Sequence, residues 1–386
     1  MDSAICLHNA TVLTGFSVMP DCAVYIKRNK IADVYNETRF HQKKFAKNVK
    51  MIDMKGSYIL PGFIDTHIHG IGGYSTADGN SKSILKMSDI LAQYGVTSFI
   101  PTISAAPEKE FIKRIKAIVS VMGKEKGAHI LGIHLEGPFL SSERIGAQEK
   151  DGISPVDFNY FKRILSAAKG TIINMTIAPE LKNMRELALK AIEAGITLQA
   201  GHTNATYEQM IEAMQAGVFH STHMFNAMRP LHHREPGTVG AILTHPEISC
   251  EIIGDGIHVH PKLLKLLTQC KPISQLALIT DCLKYAKTQI PENLNIYFDK
   301  CFKRKSDDVI MGSGITMLDG FQNLLKFGLS LENAVQMATC NPARIMRQYG
   351  IGSIIPNYDA DLIVLDKDFN LQMTIIGGKI QKNKIS

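Results

Sequence analysis

The stretch Tyr58-Ile59-Leu60-Pro61-Gly62-Phe63-Ile64-Asp65 is an apolar strand candidate that runs straight into Thr66-His67-Ile68-His69-Gly70. Residues two apart on a strand face the same way, so His67 and His69 project together from its C-terminal end. Two imidazoles placed like this suit one metal site. A pair of hydrogen-bonded core histidines is the competing reading. Outward from this segment the chain alternates between strand and helix signals. Further strand candidates cover 97–101, 130–135, 172–178, 197–200, 219–222, 249–254 and 275–280, with amphipathic helical stretches such as 81–94, 108–122, 184–194 and 207–216 between them. Eight β-then-α units predict an α/β chain folded as a (β/α)8 TIM-like barrel.

In such a barrel the chemistry gathers just after the strands. The third strand ends in His134-Leu135-Glu136-Gly137-Pro138-Phe139, and a buried Glu136 is costly unless it is paired or metal-bound. His134 shares its facing and reads equally as support or as core. The fifth and sixth strands lead into Gly201-His202-Thr203-Asn204 and Thr222-His223-Met224-Phe225-Asn226. Together Glu136, His202, His223, His67 and His69 form a nitrogen and oxygen set that suits zinc, iron or manganese. The eighth strand ends in Thr280-Asp281. Beside a metal, Asp281 is a candidate ligand and a candidate general base.

The two ends of the chain read differently. Residues 23–34 look like a hairpin around Arg28-Asn29, and the last 30 or so residues return to short strands such as 360–365. We expect a small β-sandwich built from residues 1–57 and 352–386, flanking a barrel over 58–351.

Composition excludes several classes. No apolar run reaches the ~20 residues a membrane span needs, and the N-terminus lacks a basic segment followed by an apolar one. Seven scattered cysteines without CxxC spacing argue against a disulfide framework and a cysteine zinc site. A cytoplasmic location is the expectation. The net charge of +7 could steer an anionic substrate or simply solvate the surface. It is not interleaved with aromatics, so nucleic acid is not an expected partner, and the lack of a spanning run sets membrane aside as well.

These segments resemble the amidohydrolase superfamily and, within it, the N-acetylglucosamine-6-phosphate deacetylase family. The Pro61–Gly70 run, with its His67-Ile68-His69, marks only the superfamily. The Glu136 segment is narrower, because many relatives place a carboxylated lysine there. Gly201-His202-Thr203-Asn204-Ala205, Thr222-His223-Met224-Phe225-Asn226-Ala227-Met228 and Arg234-Glu235-Pro236-Gly237 are narrower too. The resemblance implies that Glu136, His202 and His223 hold a principal divalent metal. His67 and His69 would hold a second, with Glu136 bridging, so one or two ions per subunit are expected, zinc before iron or manganese. It implies Asp281 as general base and acid. Substrate contacts would come from Asn226, Ala227 (through its backbone), Arg234, His258, Gln148 and Met317. The implied reaction is hydrolysis of the acetamido group of N-acetylglucosamine 6-phosphate to glucosamine 6-phosphate and acetate, by a homodimer. The chain departs from the pattern at Gln148, where some members have His, and across 282–310, which is polar and Lys-rich where a Gly-rich hairpin is expected. One rival reading is another amidohydrolase, such as a D-aminoacylase, a dipeptidase or a cyclic-imide hydrolase; a second is a catalytically silent barrel serving as a binding or regulatory protein.

Overall fold

The expected barrel is present in a computed structural model that describes residues 4–385; the expected outer limits at 1 and 386 fall outside them. Its strands are β1 (Phe63–Ile68), β2 (Val96–Ser104), β3 (Ile133–Glu136), β4 (Ile172–Ile177), β5 (Thr197–Ala200), β6 (His220–Ser221), β7 (Ser249–Ile253) and β8 (Leu276–Ile279). Each pairs in parallel with the next. Closure between β8 and β1 is made just beyond the end of β8. There Asp281 N donates to His67 O at 2.9 Å and His69 N to Cys282 O at 3.0 Å.

The helices follow the same alternation: α1 (Ser81–Ala92), α2 (Glu108–Val119), α3 (Phe158–Ala168), α4 (Met184–Glu193), α5 (Tyr207–Gln215), α6 (Gly237–Thr244), α7 (Pro261–Cys270) and α8 (Met317–Lys326). Local sequence sets their starts. Asn80 caps α1 by accepting from Ser83 N, and capping boxes open α5 (Thr206 with Gln209) and α8 (Thr316 with Asp319). Helical spacing sets their buried faces: Ile84, Met87 and Leu91 on α1, and Phe111, Ile115 and Ile118 on α2. Each such side chain contributes roughly 1.5–3 kcal/mol by leaving water.

Two strand expectations need correction. The strand expected over 58–65 is two strands. Tyr58–Pro61 pairs with the terminal strands, and only after Gly62 does β1 begin. The strand expected over 130–135 breaks after Ile130, and β3 starts at Ile133. Gly132 sits in that break, where a Cβ would press on the Thr171 carbonyl and the Ile173 side chain.

The termini build one eight-stranded sheet that folds around its own core. Ala4–Leu13 pairs along its first half with Val49–Asp53 and along its second half with Tyr58–Pro61. Leu362–Leu365 then pairs antiparallel with Tyr58–Pro61, joining the two ends of the chain. Ile5, Leu7, Val12, Val24, Ile26, Leu362, Val364 and Met373 fill the space between. The hairpin expected at Arg28-Asn29 connects Val18–Lys27 to Lys30–Asn36.

Segment 282–310, where the sequence departs from the family pattern, carries strands Ile296–Asp299 and Cys301–Arg304. With Ile310–Gly312 they form a small antiparallel sheet.

Gly62 joins the terminal sheet to the barrel with its Cα against buried Thr97, and a Cβ there would overlap the Thr97 side chain. Gly62→Ala is therefore expected to cost about 1–3 kcal/mol by overpacking. Chemical unfolding of the variant measures it, and an unchanged midpoint would remove this contact as a constraint.

Candidate metal centre and catalytic cavity

Six predicted residues meet at the C-terminal mouth of the barrel. His202 Nε2 and His223 Nε2 lie 3.1 and 3.0 Å from the same Glu136 oxygen, Oε1, and 3.1 Å from each other. His69 Nε2 lies 3.3 Å from the other oxygen, Oε2, and 3.2 Å from Asp281 Oδ1. His67 Nε2 is 3.3 Å from His69 Nε2 and 3.5 Å from Asp281 Oδ1. Two ligand groups result, Glu136–His202–His223 and His67–His69–Asp281, with Glu136 facing both.

The donor chemistry fits a divalent cation. His202 Nδ1 donates to the Arg144 carbonyl, which can only accept. In the neutral ring, Nε2 is then a lone pair aimed at a carboxylate oxygen. His67 repeats the arrangement, its Nδ1 donating to the Glu251 carboxylate at 2.9 Å. A cation between such groups resolves the opposition, and a partner on the far nitrogen is what orients ligating histidines. Ser104 Oγ stands 2.9 Å behind His69 Nδ1 in the same role.

Electrostatics agree. Burial pulls the His67 imidazole down, but Glu251, Asp281 and Glu136 outweigh it and push it up to about 10. His69 rises to about 9 against the same burial, through Asp281 and Glu136. Burial likewise opposes ionisation of Asp281, yet His67 and His69 hold it down at about 2. Such a pocket draws positive charge.

Beneath the ligands the barrel interior is polar. His134 lies under the His67 ring and contacts Thr102 and Thr176 at 3.1 and 2.9 Å. Burial and the neighbouring His67 pull it down to about 3, so it stays neutral. It is support, not a ligand. Gln199 Nε2 donates to Thr222 and Glu251. Asp65 accepts from Thr280 Oγ1 at 2.6 Å across the β1–β8 seam, while burial pushes it up to about 7.

Above the ligands lies a cavity of about 280 Å³. Gln148 donates to Glu136 Oε2 at 2.6 Å, and its own oxygen accepts from Ala105 N, which fixes the amide's orientation. Asn226, Ala227 and His258 line the far side. His258 is held by Asp255 at 2.6 Å. Leu283 and Ile310 bring segment 282–310 into the wall, with Met311 just beyond it. Two predicted contacts are placed elsewhere. Arg234 is exposed and bonds to His233, and Met317 is buried in the core at the start of α8.

Sequence reasoning missed Glu251. It is wholly buried in β7 between apolar neighbours, and a charge inside such a run was the available signal.

The model of the amidohydrolase family matches residues 58–381. This chain belongs to that family. Members are metal-dependent, in keeping with the two ligand groups. Among curated relatives of this amidohydrolase, the N-acetylglucosamine-6-phosphate deacetylase of Bacillus subtilis (strain 168) is 33% identical over 393 residues, 98% of each chain. That of Lysinibacillus sphaericus is 31% identical over 385 residues, again 98% of each. A solved structure of N-acetyl-D-glucosamine-6-phosphate deacetylase from Mycobacterium smegmatis, a mutant in complex with N-acetyl-D-glucosamine-6-phosphate, superposes with a TM-score of 0.89. It is 28% identical and matches over 99% of this chain and 100% of its own.

Glu251→Gln keeps shape and removes the charge that orients His67. The expected result is metal affinity lower by roughly 10–100-fold, read by chelator competition and metal analysis. Unchanged affinity would take Glu251 out of the site's support.

Proposed function

We propose that this amidohydrolase removes the acetyl group from N-acetylglucosamine 6-phosphate, giving glucosamine 6-phosphate and acetate. The observation that carries the reading is the convergence of Glu136, His202 and His223 with His67, His69 and Asp281 in one cavity that Asn226, Ala227 and His258 also line. Relatives at 31% and 33% identity over nearly the whole chain support the same chemistry.

A divalent cation held by these ligands, zinc before iron or manganese, would polarise the acetyl carbonyl and favour ionisation of water. The chain's own groups do the rest. Asp281 is ionised and accepts a proton from the attacking water, then returns it to the departing sugar nitrogen. Gln148 holds Glu136 in place from the cavity side. The His258 ring, fixed by Asp255, presents its other nitrogen for the phosphosugar, and Asn226 with the Ala227 backbone lies on the same side.

We further assign a cytoplasmic location and a homodimer. All seven cysteines are unpaired, and no helix among the described residues is long and apolar enough to cross a membrane. Leu231, Ile257, Leu263 and Leu266 are exposed near the β6 and β7 loops and suit a second copy. Arg234, exposed beside Leu231, would reach a phosphate only in that setting.

Acetate release should be measured from N-acetylglucosamine 6-phosphate beside the unphosphorylated sugar. Preference for the phosphorylated sugar is expected; metal-bound protein that cleaves neither sugar would return the substrate to other amides. Asp281→Asn should retain metal at Glu136, His202 and His223 and lose about 10²–10⁴-fold in kcat. Near-normal kcat would remove Asp281 from proton transfer.

A further inference from the structure

Arg114 is a charged wall of the catalytic cavity that none of the roles above employs. It projects from α2 and lines the cavity together with His69, Ser104 and Gln148. Its five donors are almost unused. Nη1 reaches the Ser104 carbonyl at 3.5 Å, the outer limit of a hydrogen bond, and Nε is buried with no partner. Among the described residues no carboxylate pairs with it. A half-buried guanidinium left this open, beside a cavity, is built to meet an oxyanion.

Its place in the barrel says which one. Arg114 follows β2, and in an eight-stranded barrel β2 lies opposite β6. Asn226 and Ala227 follow β6 and His258 follows β7, so the phosphosugar side is across the cavity. The metal ligands stand between the two sides. Ser104 links Arg114 to the centre, since its carbonyl accepts from Arg114 and its hydroxyl meets His69 Nδ1. With the sugar against β6 and β7, the acyl part of the amide would face the Arg114 side.

We propose that Arg114 makes this side of the cavity a carboxylate-binding subsite for the acyl part of the ligand. The inference rests on the amide-hydrolysis reading above. In that reaction the water oxygen joins the acyl carbon, the carbon–nitrogen bond breaks, both water protons go to the nitrogen, and the acid leaves as a carboxylate beside an ammonium. The carboxylate that meets Arg114 comes either from this released acid or from the far end of a longer, carboxylate-ended acyl chain.

Calorimetric titration of acetate, succinate and inorganic phosphate into the metal-loaded protein tests this on wild type, Arg114→Gln and Arg114→Lys. Wild type is expected to bind at least one of the two carboxylates. Arg114→Gln should lose about tenfold or more of that affinity. Arg114→Lys should recover part of it, and phosphate affinity should stay within about twofold in all three proteins, with thermal midpoints matched. Loss for acetate assigns the subsite to the released acid; loss for succinate alone assigns it to a carboxylate-ended acyl chain. Carboxylate affinity that survives in Arg114→Gln, no carboxylate binding to wild type, or loss of phosphate affinity instead would each overturn the proposal. Binding needs no turnover. A protein that fails to cleave N-acetylglucosamine 6-phosphate but binds carboxylates through Arg114 would refute the sugar reading and leave the subsite standing.

Discussion

Seven ionisable side chains, His67, His69, Glu136, His202, His223, Glu251 and Asp281, are buried together at one end of the barrel. Removing a single charge from water costs several kcal/mol unless partners repay it. That cost governs the surrounding architecture. Each imidazole has its outer nitrogen engaged or its inner nitrogen aimed at a carboxylate. The next layer down, Thr102, His134, Thr176, Gln199 and Thr222, is polar where a barrel interior is more often packed with Val, Ile and Leu. The apolar material lies instead between the strands and the helices, in residues such as Phe99, Phe111, Ile115 and Leu187. The division follows from the site: the barrel holds the charge and the helical ring supplies most of the hydrophobic stabilisation.

The backbone carries part of the same burden. His202, His223 and Asp281 have φ values of 46°, 23° and 47°, in the left-handed region that non-glycine residues rarely occupy. All three come just after a strand end, at β5, β6 and β8, where the chain turns toward its helix. The turn swings each side chain inward at a cost of order 1–3 kcal/mol. Surrounding contacts hold it: Ser141 N donates to His202 O, Met224 N to Glu251 O and Ser313 N to Asp281 O, each at 2.9 Å.

Much of this was legible in the sequence. The i, i+2 spacing of His67 and His69 fixed their common facing, and the position of Glu136, His202, His223 and Asp281 after apolar strands located the mouth. The break at Gly62 was not legible, because Tyr58–Pro61 and β1 form one continuous apolar run whose halves pair with different sheets. Glu251 was hidden for a related reason, since a short strand buried on both faces shows no alternation to mark which side chain turns inward. Arg234 and Met317 do not line the cavity within a single chain. Their segments match the family pattern, yet one side chain points into solvent and the other into the core. Arg114 had no motif at all, and only the fold brings α2 to the cavity.

The seam between Tyr58–Pro61 and Leu362–Leu365 bears on how the chain comes off the ribosome. Pro61 faces Leu362 across it, so its partners are some 300 residues apart. The strands made first must wait, with an edge unpaired, until the whole barrel has been synthesised. Contacts this distant in sequence slow folding and expose strand edges in the meantime. The sheet that holds Ala4–Leu13 is thus completed late, because it closes only once Leu362–Leu365 has been made.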